Sequence, residues 1–255
     1  MTHPYLTGAQ HPRILAHRGL ASALDVDSGC WENTAAAFAA AQAAGAEYIE
    51  TDCQVTADGD VVLIHDPTLE RLTGDPRPVS EVRTAELSRL FADHGGLMTV
   101  ADALESFPDT RFNIDVKTLA AAEPIGALLA PHAHRVLLTS FSERYRRAAL
   151  TSVMRAGASI RPATSGGRST ILTLRSLSSL RLSPARALRG IDAVQIPERH
   201  AGIRLLTPQL IRAAQRCGTE VHVWTVNDPE DMRRLVQAGA DGIVTDRADL
   251  ALQAL

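Results

Sequence analysis

Lysine is almost missing from this 255-residue chain: 25 of its 26 basic residues are arginine, and Lys117 is the one lysine. Codon bias in a GC-rich genome explains such a bias. So does a site that arginine's wider planar fork does not fit. Cysteine is scarce as well. Cys30, Cys53 and Cys217 are odd in number, far apart and without a CxxC pair, which argues against a disulfide framework or a zinc–thiolate site. Aromatics make up only 4%, so the core must be built from Ala, Leu, Val and Ile. No run of ~20 apolar residues is present to span a bilayer. The N-terminal stretch lacks the basic-then-apolar layout of a secretory signal, which makes the cytoplasm the expected location. A net charge of -3 gives no electrostatic case for nucleic acid or an anionic membrane as the main partner. The expected partner is a small molecule, with no nucleic acid and no stable membrane insertion.

Short β-branched or apolar runs alternate with alanine- and arginine-rich helical patterns. Strands are predicted over 14–17, 47–53, 111–117, 135–140, 158–162, 193–197, 220–226 and 242–245. Helices are predicted over 34–44, 142–155, 208–216 and 229–238. Glycine follows the helical runs at Gly45, Gly218 and Gly239, a stop signal, and Asn227-Asp228-Pro229 reads as a helix start. Eight βα steps in one chain predict a (β/α)8 TIM barrel, read as a single domain over residues 1–255. A doubly wound sheet is the alternative, but its GxGxxG turn does not follow the first strand. The stretch 56–108 is too long for a plain crossover. Ala57-Asp58-Gly59-Asp60 signals a turn, so a hairpin and a small insertion are expected after the second strand. Residues 161–184 read as a surface loop plus a helix.

Barrel chemistry gathers at the C-terminal ends of strands. The first predicted strand ends in His17-Arg18-Gly19. His17 can titrate near neutral pH and Arg18 offers a fork of donors for a phosphate; the alternative is a histidine bonded to a carbonyl with Arg18 at the surface. Glu50 and Asp52 are two apart in a strand and share a face. Such a carboxylate pair suits a hard divalent cation, Mg²⁺ or Ca²⁺, unless it is merely solvated. Asp115 and Lys117 share a face in the third strand. Asp115 can complete a three-carboxylate metal site and Lys117 can neutralise a phosphate oxygen, or the two form an ion pair serving only packing. His65 follows the run Val61-Val62-Leu63-Ile64 and would supply a second acid–base group. Ser140, Gln195 and Trp224 stand at strand ends and could line a substrate pocket. Cys53 should face away from Asp52, into packing. His94, His132, His134 and His200 read as surface residues. No Ser-His-Asp elbow, P-loop or HExxH competes with this set.

In order, His17-Arg18-Gly19, Glu32-Asn33-Thr34, Glu50-Thr51-Asp52, Thr56-Ala57-Asp58-Gly59, the run 61–66, Asp115-Val116-Lys117, Trp224-Thr225-Val226-Asn227 and the run 241–246 resemble the glycerophosphodiester phosphodiesterase family. The resemblance covers nearly the whole chain. It implies a TIM barrel that hydrolyses glycerophosphodiesters to sn-glycerol 3-phosphate and an alcohol with a divalent metal, Mg²⁺ or Ca²⁺. It implies Glu50, Asp52 and Asp115 as metal ligands, with Glu32 a further candidate. It implies His17 and His65 as the acid–base pair, and Arg18 and Lys117 on the phosphate. Two features depart from the pattern: Asp115 where the family usually has Glu, and a long segment between Gly19 and Glu32 ending in Trp31. Two rival functions stay open. One is a lysophospholipase D or phospholipase C-like enzyme acting on a lipid, for which Leu20, Leu24, Val26 and Trp31 offer an apolar rim. The other is a barrel that binds a phosphorylated metabolite without catalysis.

Overall fold

The computed structural model describes residues 2–21 and 29–255. Eight parallel strands follow one another around a barrel. They are β1 (Arg13–His17), β2 (Tyr48–Val55), β4 (Arg111–Val116), β5 (Val136–Thr139), β6 (Ala163–Thr164), β7 (Ala193–Ile196), β10 (Glu220–Val223) and β11 (Gly242–Thr245); β8 (Arg199–His200) and β9 (Ile203–Arg204) form a separate antiparallel pair. β1 pairs with β11, and a bridge between Ser165 and Ala193 brings β6 against β7. Asp192 N–H donates to Thr164 O at 2.9 Å across that seam. The barrel is thus nearly closed, β6 and β7 meeting through this bridge rather than a full ladder.

The outer helices are α1 (Ala35–Ala43), α4 (Val100–Ser106), α5 (Ile125–Leu129), α6 (Glu143–Arg155), α7 (Arg168–Ser179), α8 (Pro208–Gln215), α9 (Pro229–Gln237) and α10 (Ala248–Ala254); α1, α6, α8 and α9 fall on the four predicted helical spans. Their starts follow side-chain chemistry. Thr34, Ser142, Thr207 and Asp228 each accept a backbone N–H of the first turn. The expected insertion holds the antiparallel strand β3 (Val61–Leu63), paired with β2, then α2 (Glu70–Thr73) and α3 (Thr84–Phe91). It has its own apolar centre, Val62, Ile64, Leu69, Leu87 and Phe91, on which Trp31 rests.

The fifth barrel strand, β6, differs from expectation. Residues 158–162 are not a strand, and β6 lies just after them at Ala163–Thr164. Residues 163–166 are buried rather than part of a surface loop. Small residues fill this strand, and Thr164 Oγ1 donates to Leu138 O at 2.8 Å.

Two cores result from the pleat. Ile14, Ile49, Phe112, Ile114, Leu138, Val194 and Ile243 point out to the helices. Leu15, Tyr48, Leu137, Ala163, Ala193 and Val244 point into the barrel, where Tyr5 of the N-terminal segment closes the lower end. Tyr48 Oη donates to Tyr5 O at 2.9 Å. Two residues further along the inward rows of β1 and β2 the apolar filling stops and charge begins, at His17 and Glu50.

Candidate active site

Alternation along each strand delivers the charged residues to one place. Leu15 faces in, so His17 does; Tyr48 faces in, so Glu50 and Asp52 do. Register then sets them side by side: His17 lies opposite Glu50, and Asp52 opposite Asp115. His17, Arg18, Glu50, Asp52, His65, Asp115 and Lys117 line one cavity of about 160 Å³ at the C-terminal mouth, with Ser140, Gln195 and Trp224 around it. Glu32 stands outside that lining. Its carboxylate accepts from Arg18 Nη1 at 2.8 Å and from Arg71.

The ammonium of Lys117 lies 2.7 Å from Asp52 Oδ1 and 2.7 Å from Asp115 Oδ2. Arg18 Nε is 3.3 Å from Asp52 Oδ2, and Asn33 Nδ2 donates to the same oxygen at 3.3 Å. Burial pushes the Asp52 carboxyl up, but Lys117 and Arg18 outweigh it and hold Asp52 below the ordinary range. Burial and the nearby Asp52 charge push Glu50 up to about 8. Burial also raises Asp115, against the pull of Lys117. Burial alone would lower Lys117, yet its two carboxylates raise it.

Each histidine has a carboxylate behind it. His17 Nδ1 is 2.6 Å from Asp246 Oδ1, which leaves Nε2 facing the cavity side, 3.8 Å from Glu50 Oε2. Burial disfavours the imidazolium, but Asp246 and Glu50 outweigh it and raise the His17 pKa. Asn227 Nδ2 holds the other oxygen of Asp246 at 2.8 Å. His65 Nδ1 is likewise 2.6 Å from Asp66 Oδ1, and Arg71 pairs with the far oxygen of Asp66. Such bonds fix the ring and its tautomer.

The backbone is shaped to serve the site. Arg18 (φ 57°) and Asn33 (φ 59°) occupy the left-handed region, which costs non-glycine residues energy. At Gly19 (φ +88°) a Cβ would lie 2.8 Å from the Ala37 carbonyl carbon, so only glycine lets β1 turn back against α1.

Asp246, Asp66 and Asn33 carry no role in the sequence reading. Asp66 directly follows His65, whereas Asp246 is 229 residues from His17 and leaves no local signal. Phe141 and Arg168 are further rim residues without a sequence signal. Of the apolar residues proposed to overhang the mouth, Leu20 is buried in the outer core and Trp31 is stacked on His94 at 3.8 Å. Leu24 and Val26 lie outside the described residues. His94 is thereby engaged, its Nδ1 also 2.9 Å from Gly29 O. Cys53 is buried in packing, as its strand parity requires.

The donor set suits a hard cation. Glu50 Oε2, Asn113 Oδ1 and Asp115 Oδ1 are buried oxygens with no hydrogen-bond partner. All are the oxygen ligands that Mg²⁺ or Ca²⁺ prefers. Among the described residues no three ligand side chains already stand as a cage, because Lys117 takes Asp52 and Asp115.

A nearly closed (β/α)8 barrel with two carboxylate-backed histidines and two cations at its mouth has the parts of an acid–base phosphoryl-transfer enzyme. Comparison with known proteins agrees. The model of the glycerophosphoryl diester phosphodiesterase family matches residues 17–250. A probable glycerophosphodiester phosphodiesterase 2 of Mycobacterium tuberculosis is 39% identical over 240 residues, spanning 92% of this chain and 88% of that protein. Human lysophospholipase D GDPD1 is 25% identical, over 84% of this chain and 79% of that protein. An Oleispira antarctica phosphodiesterase solved with the product sn-glycerol-3-phosphate shares the fold, with a TM-score of 0.73 at 20% identity, 96% of each chain being covered. The chain belongs to the glycerophosphoryl diester phosphodiesterase family.

Proposed function

We propose that the protein hydrolyses glycerophosphodiesters to sn-glycerol 3-phosphate and an alcohol. The observation that carries this reading is the single cavity lined by His17, His65, Arg18, Lys117 and three carboxylates. Arg18 and Lys117 face the phosphoryl oxygens and stabilise the charge that builds there. His17, held by Asp246, and His65, held by Asp66, move the two protons. One takes a proton from the attacking oxygen; the other gives one to the departing alkoxide. The attacking oxygen belongs to water, or to the neighbouring glycerol hydroxyl, which closes a cyclic phosphate that water then opens. Glu50, Asp52 and Asp115 would hold a divalent cation, Mg²⁺ or Ca²⁺, which when bound supplies Lewis-acid charge at the phosphoryl group. Glu50 must give up its proton to serve there, so occupancy should rise with pH.

A lipid substrate is the second reading. Phe141, 46% exposed, stands edge-on to Trp224 at 5.9 Å beside the cavity and offers an apolar wall for an acyl-bearing group. The test is to incubate the purified protein with glycerophosphocholine, glycerophosphoethanolamine and lysophosphatidylcholine, with Mg²⁺, Ca²⁺ or EDTA. Release of glycerol 3-phosphate that needs metal and is lost in His17→Ala supports the first reading. Turnover of the acylated substrate alone supports the second. No turnover of any of them by folded protein refutes both.

A further inference from the structure

The overall charge conceals a strong segregation. Ten of the 26 basic residues, and none of the 29 acidic ones, fall between positions 144 and 191. On α6 three of the four arginines are neutralised: Glu143 takes Arg146 and Arg147, and Glu123 takes Arg155. On α7 and the segment behind it they are not. Arg168, Arg175, Arg181, Arg186 and Arg189 form no ion pair among the described residues. The same stretch exposes Leu172 (61%), Leu180 (68%) and Leu182 (54%), while Leu174 and Ser178 turn to the core.

These features are contiguous. Leu172 and Leu180 stand on the outer face of α7, while Arg175 is half-buried beside Leu174 and Ser178. Leu182 N–H then donates to Leu177 O at 2.9 Å, folding the chain end back under the helix. Arg181, Leu182 and Arg189 meet Arg216 of the neighbouring segment along one cleft, in which the single acid, Asp192, is already taken by Arg161. Arg181 sits at φ 56°, at the helix-end position where glycine is the usual residue. An arginine stands there although the backbone disfavours it.

We propose that this flank docks the protein on an anionic lipid surface. Unpaired arginines meet the acidic headgroups, and the three leucines enter the interface. A second copy of the chain does not fit, because two such faces repel. Nucleic acid fits poorly too: no Phe, Tyr or Trp occurs from 146 to 223 on which a base could stack.

The test is sedimentation of the full chain with phosphatidylcholine vesicles and with phosphatidylcholine–phosphatidylglycerol vesicles, and it needs no turnover. Binding is expected only to the anionic vesicles and should fall with salt. Arg181→Glu with Arg189→Glu should weaken it about tenfold or more. Leu180→Ser with Leu182→Ser should weaken it too. Hydrolysis of a water-soluble diester should stay at the wild-type rate in both. Arg181→Gly is the decisive variant, since it should raise the melting temperature while lowering vesicle binding. No binding to anionic vesicles overturns the proposal. So does binding that none of the variants changes, or arginine-dependent binding to duplex DNA or RNA that ignores the leucines.

Discussion

Replacing Lys117 by methionine keeps the length of the side chain and removes its charge. In the native cavity Asp52 and Asp115 face Lys117 and Arg18, while Glu50, raised to about 8, is mostly neutral at pH 7. Two negative charges thus meet two positive ones. Lys117→Met leaves one carboxylate uncompensated in a site where Asp52 is 2% and Asp115 5% exposed. Breaking a buried pair in this way costs about 3 kcal/mol or somewhat more. In a chain of this length that corresponds to a fall in Tm of roughly 6–12 °C. Protonation of Asp115, already raised, relieves part of the penalty, so the fall should be smaller at pH 5 than at pH 8. The same variant tests the carboxylates as a cation seat. With EDTA it should melt well below the wild type. With Ca²⁺ or Mg²⁺ its Tm should rise more than that of the wild type, since no ammonium has to leave the oxygens first. Scanning calorimetry in EDTA, Mg²⁺ and Ca²⁺ reads all of this. A variant that melts within about 2 °C of the wild type in EDTA, or gains no more from either ion, would refute the charge reasoning.

Asp246→Asn should keep the fold and lose about ten- to a hundredfold in kcat/KM, the worth of a charge-assisted hydrogen bond to His17; unchanged kinetics would remove Asp246 from any positioning role. Gly19→Ala should lower the urea midpoint sharply, by about 2–4 kcal/mol in stability, because the added Cβ meets Ala37 backbone at positive φ; a wild-type midpoint would contradict the packing of β1 on α1. Burial raises the Glu220 carboxyl, but its bond to His222 and the charge of Arg13 outweigh it and lower its pKa. Its stabilisation is therefore full above the unfolded value near 4.3 and lost as pH falls through the folded one. The stability gap between wild type and Glu220→Gln, about 2 kcal/mol at pH 7, should close between pH 5 and pH 3, and a constant gap would be the contrary result.

Seven of the eight barrel strands were legible because their outward residues are β-branched or aliphatic and their inward ones alternate with them. β6 was not, because two small residues buried by their neighbours leave no periodic trace. Residues 158–162, more apolar in composition, drew the expectation instead. The inward carboxylates were legible for the same reason as the strands: Glu50 and Asp52, or Asp115 and Lys117, share a face by parity alone. Their partners were not. Asn33 reaches Asp52, and Asp246 reaches His17, only after the chain has closed, and no local pattern records a contact across 229 residues. The α7 flank escaped notice for another reason. A near-neutral total averages an arginine-rich segment against acidic surroundings.

Lys117 has one more consequence, a chemical one. The chain's α-amine aside, its side chain is the protein's sole primary amine. An acylating reagent that would scatter over the surface of most proteins has a single side-chain target here, and that target lines the cavity at the barrel mouth. Only the unprotonated amine reacts, and Asp52 and Asp115 hold it protonated. The rate of labelling thus reports whether those carboxylates still grip it, a mass-spectrometric signal of the state of the site that requires no engineered probe.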